Sequence, residues 1–148
     1  MPVTLEEALA RYPGAQTFRF GDSPALTEEL LALVRSGRKR ATCSALAEIE
    51  AGAAAPQIGR CDIALDGAGH PALVIETLRL VETRFCDLPE ELALMEGEDD
   101  SLESWRAQHR RYYERAGIFA PDMPLIWEEF RVIEDFAATD PSPEAAHV

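Results

Sequence analysis

A chain of 148 residues, 47% hydrophobic and 28% charged, is long enough for one domain with a proper core. Its formal net charge of −13 excludes the broad basic surface with which proteins grip long nucleic acid or a DNA duplex. No apolar run approaches the roughly 18 residues that span a bilayer, so a membrane is not an expected partner.

The opening residues, MPVTLEEALARYPG, hold two early glutamates and no apolar stretch, unlike a secretory signal. Residues 4–11 predict a short helix, with Thr4 and Glu7 spaced as a capping box and Pro13-Gly14 ending it. Thr17 to Phe20 alternates polar and aromatic residues, as a half-buried strand does. Ser23 and Pro24 then fit the N-cap and first position of a helix. Leu26, Leu30, Leu33 and Val34 form its buried stripe, and Gly37 stops it.

From Arg40 to Leu46 the period becomes two, with Thr42 and Ser44 on one face and Ala41, Cys43 and Ala45 on the other. Residues 47–60 read as a loop lip. Cys61–Leu65 and 72–81 flank Asp66-Gly67-Ala68-Gly69, a hairpin signal. The second arm is apolar on both faces, as in a closed barrel, with Glu76 as a structural or rim acid. Residues 83–86 extend the sheet, and 87–95 predict a helix entered through Asp87 and Pro89.

Ser101 opens a further helix whose stripe is Leu102, Trp105, His109, Tyr112 and Ala116, and Gly117 ends it. A last strand runs from Leu125 to about Phe136. The tail, 137–148, has proline and polar residues without a period and is expected to be disordered. Strands scattered among helices without βαβ alternation place the chain in the α+β class, one domain over 1–136 with helices packed around a small barrel. Cys43, Cys61 and Cys86 are odd in number and lack CxxC spacing, which predicts reduced thiols in the cytoplasm.

Two short basic clusters stand out against the acidic whole: Arg35, Arg38, Lys39 and Arg40, and Arg106, Arg110, Arg111 and Arg115. Each suits a nucleotide or a few phosphates. Lys39 and Thr42, at the junction of helix and strand, have two readings. Thr42 becomes a nucleophile if a neighbour takes its proton, and a lysine does so when its pKa is depressed; alternatively the cluster holds a phosphate by fixed charge. Glu98, in the acidic run 96–100, suits general acid–base work or orients an amide, and paired carboxylates there also suit Mg²⁺ or Mn²⁺. The same acids favour the start of the following helix. Trp105, His109 and Tyr112 are placed for core packing or for stacking on bases. No Walker loop, GxGxxG, HExxH or Ser-His-Asp order occurs.

The segment Gly37-x-Lys39-x-x-Thr42 matches the GxKxxT signature of ASCH domains, relatives of the PUA domains. FGDSPALTEELLALVRSGRKRATCSALAEIE, ETLRLVETRF, MEGEDDSLESW and DMPLIWEEFRVI carry the resemblance across roughly residues 18–133. It implies a PUA-like β-barrel with a cleft for a nucleoside, nucleotide or short single-stranded RNA. Small members include N4-acetylcytidine amidohydrolases, whose proposed catalytic set is the motif lysine, the motif threonine and a later glutamate. These map onto Lys39, Thr42 and Glu98, with Glu96 two residues away.

In that mapping Thr42 is the nucleophile, Lys39 its proton acceptor, and Glu98 orients the acylated amine. Arg38, Arg40, Ser44, Glu96, Trp105, Arg106 and His109 are the expected substrate-binding residues. The amidohydrolase needs no metal or other cofactor. The resemblance also implies two alternatives, a single-strand ribonuclease using Mg²⁺ or Mn²⁺ and a non-catalytic RNA-binding module. Many members carry arginine two places after the threonine, where this chain has Ser44. That departure and the charge of −13 favour a small ligand over long RNA.

Overall fold

Ser23 and Pro24 start the helix on which one face of the sheet rests. In the computed structural model, which describes residues 3–137, Ser23 Oγ accepts the Leu26 amide at 3.2 Å and proline fills the first helical turn. The elements run α1 (Leu5–Arg11), β1 (Thr17–Phe18), α2 (Pro24–Arg35), β2 (Ala41–Ala45), α3 (Leu46–Glu50), β3 (Cys61–Leu65) and β4 (Pro71–Arg84). A 3-10 turn (Phe85–Asp87), α4 (Glu90–Leu94), α5 (Leu102–Arg115) and β5 (Pro124–Asp135) complete them. At α1, Thr4 Oγ1 accepts the Glu7 amide at 3.1 Å, so the expected cap forms.

One five-stranded sheet has the order β1-β3-β4-β5-β2, with β1 parallel to β3 and the remaining pairs antiparallel. The expected closed barrel is corrected by this topology. Closure would require β1 to pair with β2, and they lie at opposite edges of an open sheet. The doubly apolar pattern of β4 has a different cause: both of its faces are covered over residues 71–75, and the strand turns half-exposed beyond Thr77.

Other boundaries also shift. β1 is only two residues long, because Phe20 leaves the strand and is buried against α2 residues and Phe130. Part of the expected loop lip is α3, whose first turn is held by Glu48 Oε1 accepting the Ala45 amide at 2.9 Å. The predicted helix over 87–95 divides into the 3-10 turn and α4. Glu76 is a paired surface acid, accepting from Arg131 Nε at 2.7 Å. On α5 the buried set is Trp105 and Tyr113, with Tyr112 half-buried and Ala116 exposed. The i, i+4 steps from Trp105 through His109 end on Tyr113. The expected tail lies outside the described residues apart from Ala137.

Two cores flank the region between α2 and α5. One joins Trp105, Tyr113, Phe85, Trp127 and Leu125; the other joins Leu31, Val34, Leu73, Ile75 and Phe130. Strand β5 contributes to both and passes between them. Among the described residues no helix is long and apolar enough to cross a membrane.

Candidate active site

Gly37 ends α2 with φ at +84°, a conformation that costs glycine little. The chain thereby turns back, and the amides of Arg38 and Lys39 both donate to Leu33 O at 3.1 Å. This turn points Lys39 inward, where only 2% of the residue is exposed. Its Nζ donates to Glu98 Oε2 at 2.7 Å, to Ala41 O at 3.0 Å and to Glu96 O at 3.4 Å. Three acceptors match the three N–H bonds of an ammonium. The Glu96 side chain brings its Oε1 to 3.8 Å from the same nitrogen.

Glu96 is only 1% exposed and its two oxygens serve several groups. Oε2 accepts from Trp105 Nε1 at 3.0 Å, while Oε1 faces His109 Nε2 at 3.3 Å and Lys39. Burial alone would raise this carboxyl's pKa. The hydrogen bond and charge of His109, followed by the charge of Lys39, overcome it and hold the group below the ordinary carboxylate range. His109 shows the reciprocal effect: burial would lower its pKa, yet Glu96 bonding and charge raise it. His109 Nδ1 lies 2.9 Å from Trp105 O. A carbonyl only accepts, so Nδ1 is the donor there; with Nε2 against a carboxylate, both ring nitrogens carry protons. The ring also stacks on Trp105, with centroids 4.1 Å apart.

These groups form one wall of a cavity of about 670 Å³ that Thr42, Ser44, Glu98 and His109 line. The sheet adds further polar groups to the lining. Glu128 on β5 is buried, and its Oε2 accepts from Thr77 Oγ1 at 2.7 Å. Burial raises the Glu128 pKa, the Thr77 hydrogen bond opposes this, and Asp62 adds to it. Asp62 is itself held by Arg60 Nε at 2.8 Å and by the Gln16 amide at 2.9 Å. Around the whole cavity seven carboxyl side chains stand against four lysine and arginine side chains and His109.

Of the sequence-predicted residues, Lys39, Thr42, Ser44, Glu96, Glu98 and His109 come together on this cavity. Arg38 and Arg40 are exposed and lie outside its lining. Trp105 is wholly buried and is not a lining residue, so it has no face to offer a base; its role is to hold Glu96 and His109. Arg106 turns to Cys86 O at 2.9 Å, also outside the lining. Sequence reasoning passed over Glu128 and Asp62. The available signal was an acid among the apolar residues of CDIAL and, in β5, Glu128 alternating with Ile126 and Phe130.

Ligand atoms of Glu96, Glu98 and His109 lie within 4.8 Å of one another, a donor set of the right type for a divalent cation. Its disposition does not fit one. Lys39 already pairs with Glu98 and stands beside Glu96, and the protonated Nε2 of His109 faces Glu96 instead of offering a lone pair.

Residues 16–134 match the family model described as the ASCH domain. A crystal structure of a protein from Enterococcus faecalis V583 is similar, with a TM-score of 0.78 and 30% identity, covering 90% of this chain and 88% of that one. The ASCH domain structure from Lactobacillus crispatus JV V101 gives a TM-score of 0.71 and 28% identity, covering 88% and 86%. No curated protein sequence matches the chain.

Proposed function

Given that this chain belongs to the ASCH domain family, we propose that it binds a nucleoside-type ligand in the cavity and hydrolyses an N4-acylated cytidine-type amide. The observation that carries this reading is the convergence of Lys39, Thr42 and Glu98 on one cavity, with Lys39 and Glu98 joined at 2.7 Å. Thr42 Oγ attacks the amide carbonyl, the amine leaves, and water releases the acyl group from the threonine ester. Lys39 keeps its three protons on fixed acceptors and supplies positive charge for the developing oxyanion. Glu98, bonded to Lys39 and 23% exposed, orients the acylated amine.

The excess of carboxylates in the lining favours an uncharged ligand over a phosphate chain. Half-buried Tyr112 and Phe18 offer aromatic surface to a base in the same cavity. The Glu96, Glu98 and His109 cluster motivates the second reading, a divalent-metal-dependent ribonuclease, and Lys39 weighs against it by filling the place of the cation.

The test is incubation with N4-acetylcytidine and with labelled single-stranded RNA, each with Mn²⁺ and with EDTA. Deacetylation that survives EDTA is the expected result. RNA cleavage that requires Mn²⁺, without deacetylation, replaces this reading with the second. Binding without turnover of either leaves a reader.

A further inference from the structure

In the β2–β5 ladder Thr42 is paired directly with Glu128. Residues opposite one another in an antiparallel pair project to the same side of the sheet, with Cβ atoms about 5 Å apart. Both line the cavity. The acid is therefore the cross-strand neighbour of the proposed nucleophile. Thr77 engages one of its oxygens, Oε2, at 2.7 Å, which fixes the carboxyl and leaves Oε1 as the oxygen for a partner in the cavity.

Lys39 is poorly disposed for the role of proton acceptor. Its three N–H bonds are already directed at Ala41 O, Glu96 O and Glu98 Oε2, so it has no lone pair to receive a proton. We propose that Glu128 is the general base and acid of the site, taking the hydroxyl proton of Thr42 and delivering it to the departing amine. The proposal rests on the amide-hydrolase reading above.

The Thr42 proton passes to the Glu128 carboxylate as Oγ bonds to the carbonyl carbon, and the oxyanion forms near the Lys39 charge. The oxyanion collapses, the C–N bond breaks, and the Glu128 proton goes to the leaving nitrogen. Water then gives a proton to Glu128 and attacks the ester carbon. The ester C–O bond breaks, Thr42 Oγ recovers the proton, and the carboxylic acid departs.

The electrostatic setting of Glu128 suits this work. Asp62 faces it from β3, Arg60 from the residue before that strand, Lys39 from the turn before β2, and Thr77 from β4. Burial outweighs the rest and raises its pKa, which strengthens it as a base and brings it closer to neutral pH.

The experiment is the pH dependence of N4-acetylcytidine turnover in the wild type, Glu128→Gln and Glu128→Asp, with circular dichroism to establish folding. Glutamine keeps the volume and can still accept from Thr77. In the wild type, kcat should fall as pH drops through the Glu128 pKa, since the protonated acid cannot take a second proton. Glu128→Gln should lose about 10²- to 10⁴-fold in kcat, with KM little changed and the acidic limb gone. Glu128→Asp should be slower yet keep the limb, and it decides the matter if the glutamine variant does not fold. A folded Glu128→Gln with kcat within about threefold of wild type, or an Asp variant that has lost the limb, overturns the role of Glu128 alone. A wild type inert toward the amide overturns the hydrolase reading and this role with it.

Discussion

Gly97 lies against the peptide joining Arg38 to Lys39. A Cβ placed on Gly97 would overlap the Arg38 carbonyl and stand 2.7 Å from the Lys39 nitrogen. That contact, together with the Arg40 amide donating to Met95 O at 2.9 Å, brings the acidic loop onto the lysine turn. Gly97 also has φ at +74°. Gly97→Ala should therefore cost about 3 kcal/mol or more, combining left-handed strain with a backbone clash. Urea unfolding checks this, and an unchanged midpoint would show that the two loops separate freely.

Removing the lysine leaves two carboxylates without their shared cation. Lys39→Met should destabilise by about 3–5 kcal/mol, the usual result of breaking a buried ion pair on one side. Glu98→Gln should cost much less, because its side chain is partly solvated and Lys39 keeps its remaining acceptors. Denaturant midpoints of the two variants test the order.

Trp105→Phe keeps the aromatic packing and removes the N–H that Glu96 Oε2 accepts. A buried acceptor left unsatisfied costs about 1–3 kcal/mol. Calorimetry should show that loss. Substituting Leu94, which is exposed, should show none.

The Glu96–His109 pair makes stability depend on pH at both ends. His109 has a raised pKa in the folded chain, so its contribution is complete below the ordinary histidine value and is lost as pH rises through the folded value. Glu96 has a lowered one, so its contribution is present above the ordinary carboxylate value and is lost as pH falls through the folded value. Melting temperature should plateau between these limits. His109→Gln should abolish the alkaline decline; a decline that persists unchanged assigns it to another group.

Thiol reactivity provides an independent check on burial. Cys86 is exposed, whereas burial and then Glu96 push the Cys43 thiol well above its ordinary range. The thiolate is the reacting form, so iodoacetamide followed by peptide mass spectrometry should label Cys86 first and Cys43 last. Early labelling of Cys43 would contradict that burial and its closeness to Glu96.

Lys39 and Thr42 were legible in the chain because a glycine stop, a lysine and a period-two strand adjoin within six residues, Gly37 to Thr42. Glu98 was legible only through the ordered family segments, since its meeting with Lys39 spans 59 residues. Glu128 was not found because pairing with Thr42 is a matter of strand register, which one sequence does not encode locally. Barrel closure failed for a related reason: apolar periodicity reports that both faces of β4 are covered, without saying whether a strand or a helix covers them. Trp105 was expected to bind substrate, with packing as the other reading of its helical spacing; its indole bond to Glu96 depends on how α5 sits against the acidic loop.

The most direct test of the account is turnover of N4-acetylcytidine by Thr42→Ala in the absence of added metal. The account predicts a folded protein that still binds the nucleoside and loses at least about a thousandfold in kcat. Turnover equal to wild type would contradict it, because the hydroxyl beside Glu128 would then take no part in breaking the amide.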